Sequence, residues 1–197
     1  MKRHKTNFNA SFTLIVVLFS LAVTNCKQKD IENSLNLNCN NRAISTNTTA
    51  IKDIKNTFQL EIPASWRRQL YVDQYASKLH CADTVKELND TYIFNLSWQE
   101  GELTLDSLFT HGLKLNALQR NESKIISTKS FTTRNKPSYS IYSKYNSNGV
   151  LTHDMQLYIT NKDNSFYRLS VLIFGYEQIE ERLCEALNIF KTCKLLK

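Results

Sequence analysis

Apolar and polar positions along the chain fall into three regimes. A basic head, Lys2 to Lys5, precedes a largely apolar run of thirteen residues from Phe12 to Thr24. That run is too short to cross a bilayer core, which needs about 20 residues, and a positive head with a short apolar stretch describes an export signal. From Lys27 to Asn56 neither a helical nor an alternating period holds. The stretch contains seven Asn, whose side chains compete with the backbone ladder. It reads as a flexible spacer, with ordered structure beginning at Thr57.

From Thr57 onward the periods are regular. "TFQLEI" alternates as a strand that Pro63 ends, and "PASW" turns the chain to bring Trp66 against it. "TYIFNLSW" puts Tyr92, Phe94, Leu96 and Trp98 on one face of a second strand. A helix follows over about 104–118, with Leu105, Leu108, Phe109, Gly112, Leu115 and Leu118 at helical spacing and Asp106 at its positive end. Strands are expected over 124–133, 137–146, 150–160 and 165–174, with turns at "NSNG" and "NKDNS". A last helix from Tyr176 to about Phe190 buries Tyr176, Ile179, Leu183, Ala186, Leu187 and Phe190, and "TCKLL" can close as a short strand. An antiparallel meander covered by two helices is an α+β domain.

Cys26 stands where the apolar run gives way to polar chain, after Val23, Thr24 and Asn25. This resembles a bacterial lipoprotein signal: an apolar residue, two small ones, then Cys, although Asn25 is larger than the usual residue there. The resemblance implies cleavage before Cys26, a lipid on its thiol, and anchoring to the envelope, with Lys27 favouring the outer membrane. The domain plan is then 1–25 signal peptide, 26–56 tether and 57–197 folded domain. Cleavage leaves 172 residues, enough for one domain with a tether. It also lowers the net charge from +7 to +4, which weakens a nucleic-acid reading.

The order of elements resembles the PsbP-like α/β/α sandwich, a fold of the photosystem II extrinsic subunit and of many bacterial lipoproteins. The resemblance covers Thr57 to Leu196. It rests on "FQLEIPASW", on "LTLDSLF" opening a helix after a strand, on the meander "YSIYSKYNSNGVLTHDMQLYITNKDNSFYRLSVLIF" and on "EERLCEALNIFKTCKLL". It implies a binding or assembly factor and carries over no site residue.

The residues add little catalytic chemistry of their own. "HCAD" places His80, Cys81 and Asp83 together, but zinc needs about four ligands and no second cluster such as CxxC or HExxH follows. His111 reads as a solvated or capping residue, and Glu100 and Glu102 flank a turn at Gly101. No catalytic residue, metal site or cofactor is implied. Charge says more. Between Thr110 and Tyr145 lie Lys114, Arg120, Lys124, Lys129, Arg134, Lys136 and Lys144 against Glu122 alone. That segment is either a solvated face or a field that attracts an anionic lipid, glycan or acidic partner. Tyr142 shares a strand face with Lys144 and completes the candidate binding set.

Once Cys26 carries lipid, Cys39, Cys81, Cys184 and Cys193 remain, and four cysteines allow three pairings. A helix running to Phe190 carries Cys184 and Cys193 too far apart for bridging, so that pair and its complement fall. What survives joins Cys39 to one C-terminal cysteine and Cys81 to the other. The alternative is that some or all are free, buried thiols. The leading functional expectation is a membrane-tethered, non-enzymatic binding or assembly lipoprotein of the cell envelope. It meets the membrane through its lipid and, besides that, an envelope protein or an anionic polymer. The alternatives are an envelope hydrolase with an unrecognised site and an immunity-type lipoprotein that neutralises a toxin.

Overall fold

The computed structural model describes residues 29–39 and 47–197, with side chains from residue 31. The export signal and Cys26 lie outside the described residues. The elements are α1 (Lys29–Ser34), β1 (Thr48–Lys52), β2 (Phe58–Pro63), β3 (Arg67–Val72), β4 (Ala76–Ala82), a 3₁₀ turn (Leu88–Asp90), β5 (Tyr92–Glu100), α2 (Ser107–Leu118), β6 (Lys124–Thr133), β7 (Lys136–Ser147), β8 (Val150–Thr160), β9 (Ser165–Phe174), α3 (Ile179–Thr192) and β10 (Lys194–Leu195). The strands form a seven-stranded sheet in the order β3-β4-β5-β9-β8-β7-β6 and a three-stranded sheet in the order β1-β2-β10. Every pairing in both sheets is antiparallel. The expected antiparallel α+β class is therefore found, but with two sheets and a third helix where one meander and two helices were expected.

Alternation along the large sheet divides it into two faces. Cross-strand neighbours share a face, so Leu79, Leu96, Leu169 and Leu157 form one row across β4, β5, β9 and β8. Cys81, Phe94, Val171, Met155 and Tyr142 form the next row, reaching β7. These rows pack in one main core with Phe58, Leu60 and Ile62 of β2 and with Leu183, Ala186, Leu187 and Phe190 of α3. The opposite, outer face carries a small second core, in which α2 contributes Ala117 and Leu113 against Tyr139 and Ile141 of β7. β7 is thus buried on both faces, whereas the outer face of the sheet's far half has no helix over it among the described residues.

Several expectations need correction. Order does not begin at Thr57: α1 lies along β6, Leu35 is 5% exposed in the main core, and β1 pairs with β2. The expected spacer fails here because its scattered apolar residues, Ile31, Leu35 and Leu37, each find a place against the core. Asp53 then organises the β1–β2 turn, accepting from the backbone N–H groups of Thr57 at 2.6 Å and Phe58 at 2.8 Å. Between Trp66 and Tyr92 the chain forms the β3–β4 hairpin, which the sequence pattern does not announce because β3 is exposed along its whole length.

Both long helices start later than expected. α2 starts at Ser107 because the Asp106 carboxylate caps it, accepting from the Phe109 N–H at 2.8 Å. Its buried line runs through Phe109, Leu113 and Ala117, and Leu108, Leu115 and Leu118 point to solvent. α3 starts at Ile179, since Gly175 and Gln178 take positive φ and turn the chain first. Tyr176, expected in the core, is 80% exposed.

A disulfide joins Cys39 to Cys184, with Cα atoms 5.2 Å apart. It bonds the segment after α1 to the middle of α3, and a Lys191–Glu32 ion pair ties the same two helices. The second expected bridge, Cys81 to Cys193, is absent: both are free thiols, buried at separate places in the core. Non-reducing peptide mapping should therefore recover one cross-linked pair, Cys39 with Cys184, and alkylate Cys81 and Cys193 only after unfolding. Replacing Cys39 and Cys184 by Ser should lower stability by about 3–5 kcal/mol, since so long a closed loop constrains the unfolded chain strongly. A linkage between Cys81 and Cys193 would contradict this arrangement.

Candidate binding face

The basic segment does not assemble into one patch. Arg134 is a structural cap: its guanidinium donates to the carbonyls of Phe190 (2.9 Å) and Cys193 at the end of α3 and lies 4.9 Å from the Phe190 ring centre. The Lys136 ammonium donates to the Asn161 side chain, and burial lowers its pKa. Arg120 pairs with Asp154 at 2.6 Å and lies over the Tyr145 ring. Lys124 and Lys129 are exposed on β6, Lys144 is half-buried opposite Lys124, and Lys114 is half-buried on α2. Seven cations close in sequence are spread over both faces and one turn because strand alternation and the β6–β7 hairpin separate them.

Tyr142 is also misplaced by the sequence reading. It is 7% exposed, faces the main core, and meets His153 Nδ1 at 2.8 Å. Burial pushes its phenol up to about 12, so its hydroxyl donates to a neutral imidazole. Burial first, then Lys144 and Arg182, hold the His153 pKa below its ordinary value.

"HCAD" is split by the same alternation. Cys81 points into the main core, 3.7 Å from the Phe94 carbonyl, and burial pushes its thiol up to about 12, the range of an unreactive thiol. His80 points to the outer face, edge-on to Tyr71. Among the described residues no group of three or more His, Cys, Asp and Glu is placed to hold a metal ion.

The sequence reading missed the place where polar side chains do converge: the outer face of β4, β5 and β9 beside α2. Pairing aligns His80 with Asn95, Lys78 with Ser97, Asn95 with Ser170, and Ser97 with Arg168. A groove of about 260 Å³ runs between these side chains and Gln99. Arg168 also lines a second cleft of about 230 Å³, walled by Asn116 and Leu113 of α2 and by Gln156 and Tyr158 of β8. Hydrogen bonds order the boundary between them. Asp154 accepts from Arg120 (2.6 Å) and Gln156 (2.8 Å), and the Gln156 carbonyl accepts from Tyr158 (2.8 Å) and Arg168 (3.1 Å).

This face is rich in donors and carries excess positive charge: Lys78, Arg120 and Arg168 stand against the carboxylates of Asp154 and of Asp73, which lies 3.9 Å from the Lys78 ammonium. Burial and Lys78 hold the His80 pKa low, so its imidazole is neutral near pH 7. Such a surface suits an anionic or hydroxyl-rich ligand held by several hydrogen bonds. The signal available in the sequence was the polar parity of three strands, "ASKLHCA", "YIFNLSWQE" and "SFYRLSVLIF", which coincide only once their pairing is known.

No protein-family model matches the chain, and no curated protein matches it in sequence. Among solved structures, that of cyanobacterial PsbP (CyanoP) from Synechocystis sp. PCC 6803 superposes with a TM-score of 0.56 at 11% identity. The match covers 80% of this chain and 99% of that one. LpqN, involved in cell envelope biogenesis of Mycobacterium tuberculosis, gives 0.49 at 14% identity over 76% of this chain and 91% of that one. The immunity protein TplEi of Pseudomonas aeruginosa gives 0.47 at 11% identity over 71% and 46%. The likeness to CyanoP is one of fold: this chain shares its antiparallel α+β architecture. The other two superpositions are looser, and the fold assignment does not rest on them.

The neutral, buried His153 makes stability depend on pH. The unfolded side chain takes up a proton near its ordinary 6.5, whereas the folded one does so only at lower pH. The unfolded chain then binds more protons, so this contribution is full above about pH 7 and is lost as pH falls below the unfolded value. Denaturant midpoints should be lower at about pH 5.5 than at about pH 7.5. His153→Gln, which can still accept from Tyr142, should narrow that difference; an undiminished difference would assign the acid sensitivity to other groups.

Proposed function

We propose that the chain is a non-enzymatic binding or assembly protein of the bacterial cell envelope, anchored through a lipid on Cys26. In this reading it holds an anionic partner against the outer face of β4, β5 and β9. The observation that carries the reading is that face itself: a donor-lined, cationic groove left open on one side of a well-packed sheet. Its lining of Lys78, Asn95, Ser97, Gln99 and Arg168 offers donors to a bound anion, which supports a binding role. The short apolar run ahead of Cys26 supports the anchor, and no helix among the described residues is long and apolar enough to cross a membrane. The free cations of β6, Lys124 and Lys129, lie on the strand that α1 packs along, and so near the point where the anchored segment enters the domain. They suit the anionic membrane surface, to which each such charge adds about 1 kcal/mol of attraction.

Two measurements test the two halves of this reading. Metabolic labelling with a fatty-acid analogue should tag the wild type and leave Cys26→Ser unlabelled and free of the membrane pellet. A labelled variant would remove the anchor from the proposal. Capture from solubilised envelope with the full-length chain should recover an anionic partner, and Lys78→Glu should reduce that recovery several-fold. Raising salt should act in the same direction, because exposed charges are screened beyond about 10 Å at 0.1 M. Recovery indifferent to both would rule out the face.

A further inference from the structure

The end strand β3 has no partner on its outer edge among the described residues. Its charges, Arg67 and Arg68, sit at one end, and the rest of the edge is uncharged. Leu70, Tyr71 and Val72 are 38%, 49% and 48% exposed, and Tyr75 in the following turn is 61% exposed. The Asp73 N–H donates to the Ala76 carbonyl, so Asp73 turns its backbone groups toward β4. Alternation along an antiparallel strand then directs the groups of Tyr71 and Gln69 the same way. The N–H and C=O groups of Arg68, Leu70 and Val72 point outward, toward the free edge.

We propose that a second copy of this chain pairs on that edge, β3 against β3 antiparallel, with the two-fold axis at Leu70. The outward groups admit this register. Leu70 bonds to Leu70 of the second copy, and Arg68 bonds to Val72 on either side, giving six backbone hydrogen bonds. Charge favours it as well. Pairing about Leu70 sets Arg67 opposite Asp73 of the second copy, twice over, on one sheet face. The Asp73 carboxylate is held in place, its Oδ1 accepting from the N–H groups of Tyr75 and Ala76 at 2.8 Å each and its exposed Oδ2 3.9 Å from Lys78, so Arg67 of the second copy would join an existing ion pair. Sliding the register by two residues in either direction loses both ion pairs. Sliding by one sets outward groups against inward ones and forms no ladder. The resulting assembly is a continuous fourteen-stranded sheet that hides both apolar edges, a closed two-fold contact that leaves no further edge of this kind.

Engineered cysteines read the register directly. Residues facing each other in a hydrogen-bonded pair have Cα atoms about 5.5 Å apart, within disulfide reach. Under mild oxidation the full-length Leu70→Cys chain in detergent should form a homodimer, and the wild type, with its own cysteines, should not. Arg68→Cys and Val72→Cys should each remain uncross-linked alone, because like residues then lie more than about 13 Å apart, yet should join when mixed. Sedimentation of the uncross-linked wild type should give two copies. Leu70→Pro, which removes only an outward N–H and leaves the β4 pairing intact, should give one copy with the wild-type far-UV circular dichroism and a denaturation midpoint that no longer rises with protein concentration. A wild type that sediments as one copy at tens of micromolar, or a Leu70→Cys chain that fails to self-link, overturns the proposal. Leu70→Cys linked instead to a different envelope protein would show that the edge serves a foreign strand.

Discussion

A single buried guanidinium holds the ends of the large sheet and its covering helix in one frame. Arg182 is 4% exposed on α3, and its donors reach five backbone carbonyls: Asn89, Thr91, Phe174, Glu177 and Gln178. Those carbonyls belong to the turn before β5, the end of β9 and the start of α3. Each would otherwise be an unpaired acceptor where strand or helix geometry runs out, at roughly 1–3 kcal/mol apiece. Burial lowers the pKa of Arg182, while Asp90, Glu177 and Glu181 oppose that shift by favouring the charge. A lysine could not replace it, because one ammonium cannot span carbonyls from three segments. With β5 and β9 aligned by this residue, the rows of both sheet faces follow.

Those rows decide which sequence neighbours act together. His80 and Cys81 are adjacent in the chain and lie on opposite sides of the sheet, one toward a polar groove and one in the core. Lys78, Ser97 and Arg168 are far apart in the chain and stand side by side across three strands. The same rule dissolves the basic segment: two of its cations do structural work at Phe190 and Asp154, and its tyrosine disappears into the core. A surface built on an antiparallel sheet is written across the strands, so linear clusters along it mislead.

How much of this was legible follows from the same geometry. β2, β5 and β9 could be read because apolar side chains alternate along them, and the Asn148-Gly149 and Asn164-Ser165 turns marked where β7, β8 and β9 meet. The Asp106 cap and the closing β10 were visible for local reasons. β3 and β4 were not, since a fully exposed edge strand carries no hydrophobic period. α1 and β1 were hidden by Asn-rich composition, which describes the average of a segment and not the few apolar side chains that dock. Arg182 did leave a signal. It falls on the stripe Ile179, Leu183, Ala186 and Phe190, and a lone cation on the buried side of a helix asks what it bonds. The candidate face left only parity in three separate strands, and parity becomes a site only through register.

The docked N-terminal segment also bears on how the domain would sit at a membrane. A spacer of thirty residues would allow any orientation. Instead α1 begins at Lys29, three residues after Cys26, and is held by β6, by the Glu32–Lys191 ion pair and by the nearby Cys39–Cys184 bond. Three residues reach at most about 11 Å. A lipid on Cys26 would therefore hold the α1 and β6 side of the domain close to the headgroups. β3 lies at the opposite edge of the seven strands, about 29 Å away at the usual inter-strand spacing. The groove on β4, β5 and β9 lies between, nearer that far edge. With a lipid on Cys26, the α1 side, the groove and the open strand edge would follow one another across a single sheet, and its strand order would set the distance of each from the bilayer.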